Sequence, residues 1–370
     1  MKKAEIIVIG GGPAGLCAAI EAARQGARVL VIDENSRPGG QLFKQIHKFF
    51  GSREHQAGVR GIDIGNRLLE ETGELDIEVW LNSEVVGVGK EKNVWVIRDG
   101  TDSLEVKGDR IILATGAMEN SLIFPGWTLP GVMGAGAAQT MINIHRVTPG
   151  ERILMIGSGN VGVIVSYQLL QAGVEVAAII EAAPRLGGYG VHTAKVRRAG
   201  IPFYTSHTIK RAWGRNKVEG AEIIALDDKW QQIPGSEFTL DVDTICVATG
   251  LTPLAELAWS LGCEFQFIPQ LGGFFPDHNE HMETNIPGIY TAGDLTGVEE
   301  ASTAMEEGRL AGICAAASLG YLTVDERNIK CAQVWERLNS LRSGPFGTVR
   351  RKLKEQILQS KGGIFNDRLA

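Results

Sequence analysis

One segment of this chain is written twice. Ile6 to Gly40 reads IIVIGGGPAGLCAAIEAARQGARVLVIDENSRPGG, and Ile153 to Gly188 answers with ILMIGSGNVGVIVSYQLLQAGVEVAAIIEAAPRLGG. Each copy predicts a buried strand, a glycine turn, a helix closed by a single glycine (Gly26, Gly173), a second strand and then an acidic residue. The strands are short apolar runs of the kind covered on both faces of a parallel sheet. Two copies spaced by roughly 150 residues predict two nucleotide-fold domains, because solenoid repeats are far shorter. A chain of 370 residues, 44% of them hydrophobic, has the material for two cores.

The remaining segments fill in a shared plan. Between the copies, Ile77 to Ile97 alternates apolar and polar residues (Val79, Leu81, Val85, Val94, Val96), which predicts a small antiparallel meander. Ile111 to Gly116 (IILATG) follows. After the second copy comes its analogue, Thr244 to Gly250 (TICVATG), and then Gly288 to Asp294 (GIYTAGD) leads into a helix expected from about Val298 to Ala317. This order predicts an interrupted first domain: residues 1–118 and 271–320, with 119–270 inserted as the second domain and 321–370 as a helical tail. In the tail, Trp335, Leu338 and Leu341 form an apolar stripe expected to pack onto the parent domain.

Charge and cysteine usage exclude several function classes. Thirty-seven basic against 43 acidic side chains give a net charge of -6, so there is no basic field for nucleic acid or an anionic membrane surface. No apolar run reaches the length of a membrane span, and Lys2 and Lys3 before Ile6–Ile9 lack the cleavage site of a signal peptide, so the expectation is a cytoplasmic protein. Five widely spaced cysteines with no Cys-x-x-Cys pair argue against a disulfide framework and a zinc site; no metal ligand is assigned.

The chemistry-bearing residues sit at the two glycine turns. Gly10-Gly11-Gly12-Pro13-Ala14-Gly15 matches G-x-G-x-x-G after a strand and at the start of a helix. Gly10 permits the turn, Gly12 lets the backbone approach a pyrophosphate and Gly15 lets helix and strand pack closely. The pyrophosphate then faces the positive end of the helix. Asp33, with Glu34 beside it, stands where a carboxylate accepts hydrogen bonds from an adenosine ribose, and Val85 joins the candidate set. In the second copy Gly157, Gly159, Asn160 and Gly162 repeat the pattern, with Glu181 in the acidic position and Gly250 closing the later strand. A carboxylate there binds a 2'-hydroxyl and repels a 2'-phosphate, which favours NADH over NADPH; Arg185 nearby weakens that preference.

In combination these motifs, with Pro38-Gly39-Gly40-Gln41 and both Ala-Thr-Gly segments, resemble the two-dinucleotide-binding-domain flavoproteins, the superfamily of thioredoxin reductase and glutathione reductase, over roughly Lys3 to Leu319. The resemblance implies an α/β fold of two Rossmann-like domains (three layers, parallel sheet plus antiparallel meander), the second inserted into the first. It implies FAD in the first domain and NAD in the second. By the same resemblance Asp294, after Gly293, holds the FAD ribityl chain, and a backbone N–H near Ala301 faces the flavin pyrimidine ring. Gly40 and Gln41 lie along the flavin, and Ala114, Thr115 and Gly116 close the domain.

One departure redirects the functional reading. Disulfide reductases of this superfamily carry a redox cysteine pair shortly after the first acidic residue or just before the second glycine motif, whereas this chain has no cysteine between Cys17 and Cys246. Cys17 reads as a small buried helix residue. What remains is similar to the alpha-type subunits of amine and amino-acid dehydrogenase complexes (hydrogen cyanide synthase, opine oxidase, proline and hydroxyproline dehydrogenase, sarcosine oxidase), a likeness that extends to Pro130-Gly131-Val132 and to Leu341-Arg342-Ser343-Gly344-Pro345-Phe346-Gly347. That likeness implies a subunit of a hetero-oligomer, relaying electrons between a partner flavoprotein dehydrogenase and NAD or a small iron-sulfur protein; with no cysteine after Cys331, a cluster has to come from another chain. Two alternatives stay open: a self-contained NADH-dependent reductase of a quinone, ferredoxin or small molecule, and a structural subunit whose nucleotides are redox-silent. No catalytic acid, base or nucleophile is identified. His47 and His55 read as solvated residues of a loop ordered by Phe49 and Phe50, the alternative being a proton shuttle near the flavin; His192 and His207 have no metal-like spacing.

Overall fold

The structure is a computed structural model that describes residues 2–359. The chain forms two compact units, one built from the residues up to 118 together with those from 252 onward, the other from 119–251. In the first unit the strand Lys2–Ile9 is the centre of a parallel sheet, with Ile6 opposite Val29 of the strand Val29–Ile32 on one side and opposite Arg110 of Asp102–Leu113 on the other. Ile6, Ile7 and Val8 have no exposed surface, as expected of a strand covered on both faces. Helix α1 (Pro13–Arg24) crosses from the first strand to Val29–Ile32, and α2 (Gly61–Gly73) precedes Ile77–Trp80. That last strand is not part of the meander, as its alternation had suggested; it pairs in parallel with Val29–Ile32, because Ile77 and Val79 pack into the core around α1. The antiparallel part is Ser83–Val88, Asn93–Arg98 and Asp102–Leu113.

The second unit repeats the plan. Its parallel sheet runs Phe203–Thr205, Glu175–Glu181, Arg152–Ile156, Thr244–Val247, Val132–Gly134, beside a three-stranded antiparallel sheet of His207–Trp213, Gly220–Ala225 and Phe238–Leu240. Helices α3 (Ala135–Thr140), α4 (Asn160–Gln171) and α5 (Gly190–Arg198) belong to it. Ile153, Leu154, Met155, Ile179 and Ile180 are fully buried at its centre.

The return to the first unit comes at Thr252 and not at 271. The reason is packing: α6 (Glu256–Leu261) puts Ala258 and Leu261, with Ala255 and Cys263 beside it, into the same apolar cluster as Ile7 and Ile9. The strand Ile289–Thr291 then joins the first sheet, Ile289 opposite Ile111. Helix α7 (Ala301–Ser318) starts three residues later than its apolar pattern suggests, because Val298 donates its N–H to the Leu271 carbonyl and Glu299 donates its own to the Asp294 carboxylate. Once begun, α7 lies directly against α1. A Cβ at Gly308 would stand 2.1 Å from the Ala14 carbonyl oxygen, and one at Gly312 would stand 2.2 Å from that of Ala18.

The tail is part of this first unit. Helix α8 (Val324–Leu341) opens with a reciprocal Thr323–Glu326 cap and buries Cys331, Val334 and Leu338 in the core around α1. Leu338 is fully buried and Trp335 packs beside it, while Leu341 is half-buried. Helix α9 (Gly344–Gln359) follows; residues 360–370 of the expected tail lie outside the described residues. Among the described residues, no helix is long and apolar enough to cross a membrane.

Candidate dinucleotide-binding sites

In the first unit the chain leaves Ile9 and turns at Gly10, whose φ of +101° suits glycine, before α1 begins at Pro13 with Gly12 as its cap. No side chain caps α1. Proline at the first helical position removes one orphan donor, and the donors that follow are left for a ligand. A Cβ at Gly12 would meet nothing within 4 Å, whereas one at Gly15 would stand 1.8 Å from the Gly10 carbonyl oxygen. Gly15 is therefore demanded by packing, and Gly12 borders open space of the kind a pyrophosphate fills.

Other candidate residues converge on this turn. Ala114 donates its N–H to the Ile9 carbonyl, and its own carbonyl lies against Gly10. Thr115 Oγ1 donates to the Leu254 carbonyl at 2.6 Å, and Gly116 takes a φ of +76°. Gly39 donates its N–H to the Gly11 carbonyl at 2.6 Å, and Gly40 faces the Gly12 Cα, so the Pro38–Gln41 segment lies over the glycine turn with Gln41 exposed. Gly293 packs against Ala14, with a Cβ there falling 2.7 Å from the alanine Cβ, which brings Asp294 to the head of α1. Ala301 begins α7, also without a side-chain cap.

The acidic positions differ in their surroundings. Asp33 is 5% exposed and already engaged: Oδ2 accepts from the Gly11 N–H at 2.6 Å, and Oδ1 accepts from the N–H and side-chain amide of Asn35. Its neighbour Glu34 is exposed and lines a shallow cleft with Asn35, Asn82 and Glu84. The Val85 side chain turns into the apolar layer beneath the sheet. Burial pushes the Asp294 carboxyl up to about 6, against the pull of the Glu299 N–H.

Sequence reasoning missed what stands behind Asp294. Glu299, Glu307, Arg342 and Lys354 form a buried charge cluster, each side chain 4–6% exposed. Arg342 Nη2 reaches both Glu299 and Glu307 at 2.5 Å, and Lys354 Nζ donates to Glu307 at 2.9 Å and to Thr296 Oγ1 at 2.7 Å. Burial alone would raise the Glu307 carboxyl; Lys354 and Arg342 reverse that and hold it well below its ordinary value. The only sequence signal was Arg342 in the Leu341–Gly347 segment. The histidine loop also differs from expectation. His55 is 3% exposed, with Nδ1 2.9 Å from Ser52 Oγ, and burial lowers its pKa; His47 is half-buried and stacks on Phe49.

The second unit rebuilds the same turn. Gly157 has a φ of +101°, a Cβ at Gly162 would stand 2.2 Å from the Gly157 carbonyl oxygen, and one at Gly159 would meet nothing within 4 Å. No side chain caps α4. Glu181 Oε2 accepts from the Ser158 N–H at 2.9 Å and from its hydroxyl at 2.6 Å, and Oε1 accepts from the Ala183 N–H. Asn160 Oδ1 accepts the Tyr189 N–H, which folds the Leu186–Tyr189 loop toward the turn, and Gly250 faces the Asn120 amide.

Both cradles have the glycine geometry and donor-rich helix starts that a dinucleotide requires, and the comparisons with known proteins agree. The chain is 30% identical over 339 residues to an opine oxidase subunit of Rhizobium meliloti, covering 86% of this chain and 64% of that one. It is 31% identical over 334 residues to hydrogen cyanide synthase subunit HcnB of Pseudomonas aeruginosa, covering 83% and 69%. It thus spans about two thirds of the length of these relatives. The thioredoxin reductase of T. acidophilum, at 18% identity, shares the fold with a TM-score of 0.70 over 86% of this chain and 99% of that one. The family model for pyridine nucleotide-disulphide oxidoreductases matches residues 4–308, which contain both cradles, and the chain belongs to that family.

Proposed function

We propose that this chain is an FAD-dependent subunit that passes electrons between a partner dehydrogenase of amines or amino acids and an acceptor, NAD or an iron-sulfur protein. The observation that carries this reading is the pairing of two dinucleotide cradles with the lack of a thiol pair at either position where the family's disulfide reductases keep one. Cys17 lies in α1, but it is 1% exposed and burial pushes its thiol up to about 11. Cys314 and Cys331 do stand together, yet Cys314 is thirteen residues along α7 from Ala301, roughly 20 Å at the helical rise. The relatives named as subunits of opine oxidase and hydrogen cyanide synthase support a place in a larger assembly.

In this reading Gly10–Gly15 and the start of α1 hold the FAD pyrophosphate, Asp33 and Glu34 the adenosine side, Asp294 the ribityl chain, and Ala301 the flavin ring. When bound, FAD supplies reversible two-electron redox chemistry, which no side chain can. The chain's own contribution is to position it: the glycines admit the backbone, the uncapped helix starts oppose negative charge, and the buried Glu307–Arg342–Lys354 cluster fixes the segment that carries Asp294. Gly157–Gly162 with Glu181 hold NAD, with NADH preferred.

Anaerobic stopped-flow absorbance of the flavin band tests the assignment, with NADH and NADPH mixed separately. Bleaching by NADH alone, with slow turnover until the partner dehydrogenase is added, is the expected result. Full turnover on quinone or ferredoxin without a partner would establish the self-contained reductase instead, a reading that the intact second cradle keeps in play. A purified chain without flavin would sink both.

A further inference from the structure

His281, Cys314 and Cys331 come from three separate elements and meet. Cys314 is on α7, Cys331 on α8 and His281 in the turn before the strand Ile289–Thr291. The two Sγ atoms are 3.5 Å apart, and one ligand atom from each of the three residues lies within 4.8 Å of the others. Both thiols are about 5% exposed or less, and Nδ1 of His281 is buried with no hydrogen-bond partner among the described residues. One ring nitrogen of His281 lies within reach of both thiols, and the buried Nδ1 has a polar cost that a ligand would relieve.

From this geometry we infer that His281, Cys314 and Cys331 form a zinc-class metal site with three protein ligands. Zinc–thiolate bonds of about 2.3 Å in a tetrahedron set two sulfurs about 3.8 Å apart, close to the separation here. Two thiols and an imidazole are the donor set that selects a thiophilic ion over magnesium or calcium. Binding exchanges two thiol protons, released to solvent, for one divalent cation, so the buried site ends without net charge.

The surroundings hold the ligands in place. Asn279 Oδ1 accepts the His281 N–H at 2.9 Å and the Glu283 N–H at 3.0 Å, which fixes the turn. Trp335, one helical turn after Cys331, donates its indole N–H to the Glu280 carbonyl, which ties the turn to α8. A cavity of about 260 Å³ lined by His281, Cys314, Lys92, Arg110 and Arg327 gives an access path. Lys92, Arg110 and Arg327 outnumber the one carboxylate of its wall, Glu283, which suits water, hydroxide or a small anion as the fourth ligand. A metal here pins α8 to α7 and to the turn, far along α7 from the flavin end, as a structural staple.

The test uses the full flavin-loaded chain, prepared anaerobically with zinc and reductant. Elemental analysis after gel filtration should find one zinc per chain, lost in Cys314→Ser and Cys331→Ser, kept in Cys263→Ser, and bound at least about tenfold more weakly in His281→Gln. Cobalt(II) added to the metal-free wild-type chain should give tetrahedral d–d bands at longer wavelengths than the flavin absorbs, a readout that does not depend on how the variants fold. Zinc no higher than in Cys331→Ser, or no cobalt spectrum, would overturn the inference. So would two thiols that oxidise to a disulfide in a chain that retains no metal when reduced.

Discussion

The two glycine cradles share their backbone but not their support. In both, the third glycine is pressed against the carbonyl of the first, the second glycine faces open space, and an acidic side chain at the end of the next strand accepts an N–H from the turn. Around the first, α7 lies against α1 through Gly308 and Gly312, Gly40 covers the turn, and Asp294 is backed by a buried charge cluster. The second has a polar frame made by Ser158, Asn160 and Glu181. Glycine spacing builds a place for a dinucleotide; what surrounds it decides how firmly one cofactor is held.

The largest effect should separate the cradles outright. Gly15→Val, whose side chain would meet the Gly10 carbonyl, should cost about 5 kcal/mol and yield a chain without flavin. Gly162→Val makes the same collision with Gly157 and should leave the flavin bound while abolishing its reduction by NADH. Flavin absorbance and stopped-flow traces of the two variants read this directly, and loss of flavin in both would mean that the cradles are not independent.

Next is Arg342→Met, which leaves Lys354 alone against two buried carboxylates, Glu299 and Glu307, and should cost about 3 kcal/mol. The loss should appear as a lower thermal midpoint and weaker flavin retention. An unchanged midpoint would deny the cluster its role in the first cradle.

The Asp294 carboxyl supplies a test by pH. Its folded pKa is raised, so the folded chain holds a proton that the unfolded chain has already released between about pH 4 and 6. Flavin-free protein therefore loses stability as pH rises through that window, by at most about 3 kcal/mol. Asp294→Asn should remove the loss, being the more stable apoprotein at pH 7 while binding flavin less tightly. Denaturant melts at pH 4 and 7 would show it, and a variant with the wild-type pH slope would overturn it.

The smallest effect falls on the second cradle. Glu181→Ala should shift the NADH-to-NADPH preference by about tenfold, near 1.4 kcal/mol, because the repulsion of a 2'-phosphate is gone. Rates of flavin reduction by each nucleotide would measure it.

What could be read from the sequence was what neighbours along the chain enforce. The glycine turns, their helices and Asp33 and Glu181 follow from spacing within one strand–turn–helix unit. What could not be read depends on encounters across the fold. Nothing in the spacing of Gly308 and Gly312 says that they meet Ala14 and Ala18. Cys314 and Cys331, seventeen residues apart with His281 further upstream, match no ligand motif, and only the packing of α7 on α8 brings them together. Arg342 and Lys354 look like ordinary surface charges until the tail folds back. The return at Thr252 was missed because α6 is short, and its apolar residues do not reveal which sheet they cover.

The pairing of Ile289 with Ile111 governs the order in which this protein can be completed as it is made. Every strand and helix of the second unit has been synthesised by Leu251, while the first still lacks the strand Ile289–Thr291 and α7. The half-built sheet leaves Asp102–Leu113 without its last parallel neighbour and α1 without its cover until the chain has grown past Ser318. The later cradle in the sequence is thus the first to be finished on the ribosome, and the earlier one waits for the return of the chain.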